Sequence, residues 1–165
     1  MKEISGKLRN GLNDQITAEF ESAYLYLDMA NYLESQNFEG MAHWFRLQAK
    51  EEKRHALKIN DFLMERNVVP DLGKIKPTEN KWRDAAAVLD EAHRHECMVS
   101  NMIYDLVAQA MDDKDFASLS FLQWFVDEQV EEEAQSSELL NKARLIDGDI
   151  AGLMSLDSLM GARTE

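Results

Sequence analysis

An all-α four-helix bundle with one long crossover is the fold class this sequence predicts, and three observations carry the prediction. Apolar residues recur at helical spacing through four long stretches. Only two prolines and seven glycines interrupt a chain rich in Ala, Leu, Glu, Lys and Met, all good helix formers. The second and third stretches are joined by a long unpatterned segment, whereas the other joins are short. At 165 residues the chain is expected to fold as one domain over 1–165 with a full core.

The first helix is expected from about residue 5 to 34, with an inward stripe of Leu8, Leu12, Ile16, Glu19, Ala23, Tyr26 and Ala30. The second runs from about 39 to 66, with Met41, Phe45, Gln48, Glu52, His55, Ile59 and Phe62 facing inward. Residues 35–38 between them leave room only for a tight reversal, so the two are antiparallel neighbours. Segment 67–81 holds both prolines and Gly73. Its 15 residues reach roughly 50 Å when extended, against about 42 Å for a 28-residue helix. It can therefore span the bundle and set the second and third helices parallel, which is the ferritin-like topology. The third helix (about 82–111) carries Ala85, Leu89, Ala92, Glu96, Val99, Ile103 and Leu106 inward. The fourth (about 116–144) carries Phe121, Phe125, Gln129, Glu132, Ser136, Leu139 and Ala143. Residues 149–160 read as a short fifth helix whose apolar side needs a partner in the subunit or in an assembly.

Charge narrows the function. A formal net charge of -13 argues against nucleic acid and anionic membranes, which need clustered Lys and Arg, and favours cations. The single cysteine, Cys97, forms no intrachain disulfide, the first residues are polar, and no run of about 18 apolar residues occurs. A cytoplasmic protein that does not span a membrane is the expectation.

Each inward stripe is interrupted by one carboxylate: Glu19, Glu52, Glu96 and Glu132. Each falls about 13 to 16 residues after the start of its helix, so whichever way the helices run the four meet at one level. An isolated buried carboxylate is strongly disfavoured, and four together repel unless protonated or neutralised by cations. A pair of divalent ions resolves both problems. His55 stands three residues after Glu52, on the same helix face. A Glu-x-x-His spacing is common by chance; its coincidence with carboxylates on the other three helices is what marks a metal site, with solvated charges on a misread face as the rival. Oxygen ligands with one imidazole and no thiolate suit iron or manganese better than structural zinc.

Glu51, Glu128 and Glu131 lie around their helices from Glu52 and Glu132, towards an edge of the seam. Spacing allows them an outer cation site or a solvated acidic face. Asp127 and Glu133 read as surface residues. His43, His93 and His95 fall off the stripes and read as surface histidines, Cys97 as a small buried residue, and Tyr26 and Trp124 as aromatic packing near the carboxylate level.

The chain resembles the bacterial non-haem ferritins in Asn37-Phe38-Glu39-Gly40, in Glu51-Glu52 with His55, in His95-Glu96, and in 121–125 leading to Glu128-Gln129 and Glu131-Glu132-Glu133. The resemblance implies a first iron site of Glu19, Glu52 and His55, with Glu52 bridging to a second formed by Glu96 and Glu132. It implies Gln129 near the dioxygen side, Glu51, Glu128 and Glu131 as a third, outer iron site, and Tyr26 and Trp124 as aromatic residues beside the centre. It also implies a homo-oligomeric shell of 24 subunits whose short last helices meet at the fourfold axis. Gln135 replaces the histidine of a second Glu-x-x-His, and Lys53 stands where bacterioferritins carry the haem-binding methionine, so haem is not expected. The expected function is oxidation of Fe(II) to Fe(III) by dioxygen or peroxide, with storage of ferric mineral. A non-storage di-iron redox enzyme and a metal-free helical module are the competitors.

Overall fold

The computed structural model describes residues 3–79 and 81–164. Five helices follow in order: α1 (Gly6–Ser35), α2 (Glu39–Glu65), α3 (Ala85–Asp112), α4 (Phe116–Ile146) and α5 (Ile150–Gly161). Their starts are chemically marked. Ser5, Asp84, Asp115 and Asp149 accept hydrogen bonds from the backbone N–H groups of Leu8, Ala87, Ser118 and Gly152, satisfying donors that the first turn leaves open. The Asp84 cap starts α3 three residues later than the apolar pattern predicts. Left-handed residues Asn37, Asn67 and Lys114 end α1, α2 and α3. Beyond them Phe38, Val68 and Asp115 donate back to Leu33, Leu63 and Ala110, the Schellman closure that reverses the chain.

The core falls into two apolar clusters. One contains Tyr26, Leu33, Met41, Phe45, Leu89 and Leu139; the other contains Leu8, Ile16, Ile59, Leu63, Ile103 and Phe125. On every long helix a buried polar step separates them: Glu19 and Ser22 on α1, Gln48, Glu52 and His55 on α2, Glu96 and Ser100 on α3, and Gln129, Glu132 and Ser136 on α4. The order in which each helix visits the clusters gives its direction. α1 and α4 run from the second cluster to the first, α2 and α3 from the first to the second. So α1 opposes α2, α3 opposes α4, and α2 parallels α3, as the long crossover requires.

That crossover is laced along α1. The backbone N–H groups of Asp71, Gly73 and Lys76 donate to Asn13 Oδ1, Thr17 Oγ1 and Glu21 Oε1, each at 3.1 Å. The three acceptors are four residues apart and so form one row on the helix. A Cβ at Gly73 would lie 2.6 Å from Thr17 Oγ1, so a larger residue there would have to displace this contact.

At the far end Arg66 grips Asp115 with both nitrogens, at 3.2 and 2.9 Å, and also donates to Ser118 Oγ. Both charged side chains are nearly inaccessible. Asp115→Ala would strip this guanidinium of its carboxylate and remove the α4 cap, so a loss of about 3–5 kcal/mol is expected. Chemical denaturation checks it, and a loss under about 1 kcal/mol would show that the pair is not important to stability.

The predicted stripes hold with local corrections. On α1 Ser22 is the fully buried residue, and Ala23 is only half-buried. On α4 Leu122 is fully buried and Phe121 half-buried. α5 buries Leu156 and Met160 in the first cluster, so part of its apolar side finds a partner within the subunit, while Ile150, Met154 and Leu159 stay exposed.

Candidate metal centre

The polar belt is built from the middle of all four long helices. Glu19, Glu52 and His55 come closest together: one ligand atom from each lies within 4.8 Å of the others, and all three are buried. His55 Nδ1 stands 3.4 Å from Glu52 Oε2 and 3.9 Å from Glu19 Oε2, so one imidazole edge faces two carboxylates. Gln15 Nε2 donates to Glu19 Oε1 at 2.8 Å, leaving the other oxygen aimed inward. Glu19 Oε2 and Glu52 Oε1 are buried with no hydrogen-bond partner. Such orphaned acceptors are costly in an apolar core and are what a cation would satisfy.

Glu96 and Glu132 occupy the other side of the belt. Tyr26 donates its phenol to Glu96 Oε1, and Gln129 Nε2 approaches Glu96 Oε2 at 3.3 Å and Ser100 Oγ at 3.1 Å. Glu132 Oε2 accepts from Gln48 Nε2 at 2.8 Å.

Electrostatics agree with the geometry. Burial, followed by the neighbouring Glu52 carboxylate, raises Glu19 well above the usual range. Burial, followed by the Glu96 charge, raises Glu52 strongly and lifts Glu132 to about 7. Burial raises Glu96 too, although hydrogen bonds from Tyr26 and Gln129 favour its ionised form. Without cations the belt therefore holds protons at neutral pH that bound metal must displace.

The outer carboxylates are arranged differently. Glu128 Oε2 lies 3.9 Å from His55 Nε2, and Glu51 and Glu128 line an open cavity of about 740 Å³ beside Trp124. Glu51 is held by Arg54 at 3.2 Å and by Arg163 at 2.6 Å. Glu131 is exposed, and its charge acts on Glu128. Trp124 stands edge-on to His55 with centroids 5.4 Å apart, and Lys58 Nζ lies 4.2 Å above its ring.

Two of the three histidines expected at the surface are not there. His95 is half-buried, meets Ser22 Oγ at 2.7 Å and stands edge-on to Tyr26, and burial lowers it to about 4. His93 is half-buried with Nδ1 at 3.0 Å from Ser136 Oγ. His43 is exposed, as expected. Cys97 is half-buried instead of buried. Sequence reasoning overlooked Gln15, whose signal is its position four residues before Glu19, and Arg163, which no spacing relates to the belt. No helix among the described residues is long and apolar enough to cross a membrane.

Comparison with known proteins follows the same lines. The Ferritin-like domain family matches residues 9–146. A bacterial non-heme ferritin of Bacteroides fragilis is 39% identical over 160 residues, spanning 97% of this chain and 99% of its own. One from Staphylococcus aureus is 34% identical over 161 residues, spanning 98% and 97%. Among solved structures, an open pore ferritin from the hyperthermophilic archaeon Archaeoglobus fulgidus superposes with a TM-score of 0.96 at 42% identity, covering 98% of this chain and 100% of that one. A likeness of this extent, in sequence and in backbone alike, places the chain in the ferritin family, among its non-haem members.

Proposed function

We propose that this chain is an iron-storage subunit that oxidises Fe(II) at the central belt and passes Fe(III) to a mineral inside a shell of 24 copies. The observation that carries the reading is the pair of orphaned carboxylate oxygens on Glu19 and Glu52, beside His55, in an otherwise apolar core. Iron is here substrate and cargo. Glu19 and His55 bind one Fe(II), Glu96 and Glu132 a second, and Glu52 reaches both. Each ion gives up one electron, so a pair supplies the two electrons that reduce dioxygen to peroxide or peroxide to water. Hard carboxylate oxygens favour the ferric product and so drive oxidation.

The chain's own residues supply orientation and protons. Gln15, Gln48 and Gln129 each direct a side-chain amide at a belt carboxylate. Gln129, through its contact with Glu96, would stand beside the second ion, where the family resemblance puts the oxidant. Tyr26 fixes Glu96, and burial keeps its phenol protonated well beyond its usual range, so it holds an electron and a proton next to the centre. The carboxylates release protons as iron enters. Glu51, Glu128 and Glu131 are the candidates for a third, outer iron position. A reducing cytoplasm, where Fe(II) persists and Cys97 stays a thiol, suits this chemistry.

The test is aerobic addition of a large excess of Fe(II), followed by sizing chromatography and iron counting. Iron far above the capacity of three sites per chain, co-eluting with a particle much larger than one subunit, is expected. Two or three ions per chain in a small particle would instead make the protein a non-storage redox enzyme.

A further inference from the structure

We infer that the groove between α1 and α3, closed at its inner end by Gln15, is an inlet through which a hydrated divalent cation reaches Glu19, on the side of the bundle opposite the Glu51–Glu128 cavity. The inference rests on the reading of the belt as a metal centre.

The groove has a volume of about 590 Å³ and is walled by the first half of α1 and the second half of α3. Three of its side chains, Asp14, Asp105 and Asp112, are exposed carboxylates set against one ammonium, Lys7. Its mouth therefore attracts cations. Met102 and Leu106 add apolar wall that offers a cation no ligand. Gln15 supplies the missing oxygen. This side chain is 0% exposed, and its Oε1 is buried with no hydrogen-bond partner. An amide oxygen left orphaned in the interior is costly and calls for a ligand or water to satisfy it.

The belt itself orients that amide. Gln15 Nε2 donates to Glu19 Oε1 at 2.8 Å, so the other branch of the same planar group turns its oxygen away from Glu19, on the residue where the groove ends. Gln15 and Glu19 stand four residues apart in one row of α1, with Cβ atoms about 6 Å apart. A cation held at Gln15 is one such step from the orphaned Glu19 Oε2. A neutral amide oxygen is a hard ligand that divalent ions accept, yet it has no charge to trap them, and a site of passage must release what it binds. The charged carboxylates of the belt then hold the ion. A neutral donor such as hydrogen peroxide would satisfy the same oxygen but would gain nothing from the carboxylates at the mouth. Because Gln15 has no accessible surface, the way is shut at rest, and rotation of this one side chain opens it. The rival entrance, beside Glu51 and Glu128, lies between α2 and α4.

Zinc, which is redox-inert, separates loading from turnover. Metal-free assembled protein would be mixed in stopped flow with Zn(II) and a weak metallochromic indicator. The fall of indicator-bound zinc reads the rate of loading, its final level reads the amount bound, and the part abolished by Glu52→Ala with His55→Ala is the share of the belt. D14N/D105N/D112N is expected to slow that share about tenfold at low ionic strength, and less at high salt. Final uptake should be unchanged, since a route alters rates and not the equilibrium. A108W, at an exposed position on the groove wall, and Q15M, which has no oxygen to offer, should also load slowly, whereas L57W in the Glu51–Glu128 cavity should load at the wild-type rate. Wild-type loading by the triple variant or by Q15M, with full uptake, overturns this inference alone. So does slowing by L57W in their place, which puts the entrance on the other side. Should A108W fail to assemble, the three exposed Asp→Asn changes still decide. A wild type whose zinc uptake is untouched by Glu52→Ala with His55→Ala defeats the metal-centre reading and this inference with it.

Discussion

Glu52→Ala combined with His55→Ala is expected to lower the initial rate of Fe(II) oxidation by more than about 100-fold, because it removes the carboxylate proposed to serve both ions and the one imidazole of the proposed set. The folded shell should survive the change. Glu52 is buried with an orphaned oxygen, and burial and the Glu96 charge both disfavour its ionised form, so its removal relieves a cost in the metal-free protein. Stopped-flow absorbance of ferric product gives the rate, and sizing chromatography with thermal melting checks the fold. Wild-type oxidation by an intact double variant would sink the assignment of the centre. A slow variant that had also lost its shell would leave the rate unattributed, and the milder Glu52→Gln, nearly isosteric and still able to hydrogen-bond, would then decide.

The second large effect concerns pH and stability in the metal-free protein. Burial and the Glu96 charge lift Glu132 from 4.5 to about 7. Between those values the folded chain binds more protons at this site than the unfolded chain, so stability falls as pH rises through the window. Two and a half pH units correspond to something on the order of 3 kcal/mol at this site. Glu19, Glu52 and Glu96 shift in the same direction and add to the loss. Chelator-treated protein should therefore melt at a lower temperature at pH 7.5 than at pH 5.5. Divalent metal should reverse the trend, binding best where the carboxylates are ionised and stabilising most at the higher pH. Relief of repulsion at low pH contributes to any acidic protein, so Glu132→Gln is the control. It should flatten the slope, and a variant that followed the wild-type slope would show that Glu132 does not carry the effect.

The fold was legible because its signals are local. Helical periodicity, the two prolines confined to one segment and the lengths of the joins together imply the long helices and the crossover. Errors arose where polar chemistry overrides apolar pattern. The apolar reading starts α3 at Trp82, but the cap supplied by Asp84 starts it at Ala85. Ala23 looked like the inward residue after Glu19, yet the fully buried Ser22 takes that place. A small hydroxyl leaves no mark in a hydrophobic pattern, and the same is true of its partner His95.

The candidate centre shows the same division. That Glu19, Glu52, Glu96 and Glu132 would interrupt the core at one level followed from sequence alone, since each position depends only on its own helix, and charges do not sit in apolar seams without partners. Which oxygens have partners could not be read that way. The approach of His55 to both Glu19 and Glu52, the Tyr26 hydroxyl on Glu96 and the fork of Arg163 between Glu51 and Gln48 depend on how far each helix is rotated and shifted against its neighbours. Packing between residues distant in sequence sets those displacements, including the glycine contact of Gly40 with Gly161. The sequence by itself determined which residue types enter the belt and at what depth; only the tertiary structure decided which atoms face one another across it, because facing depends on contacts that no single helix encodes.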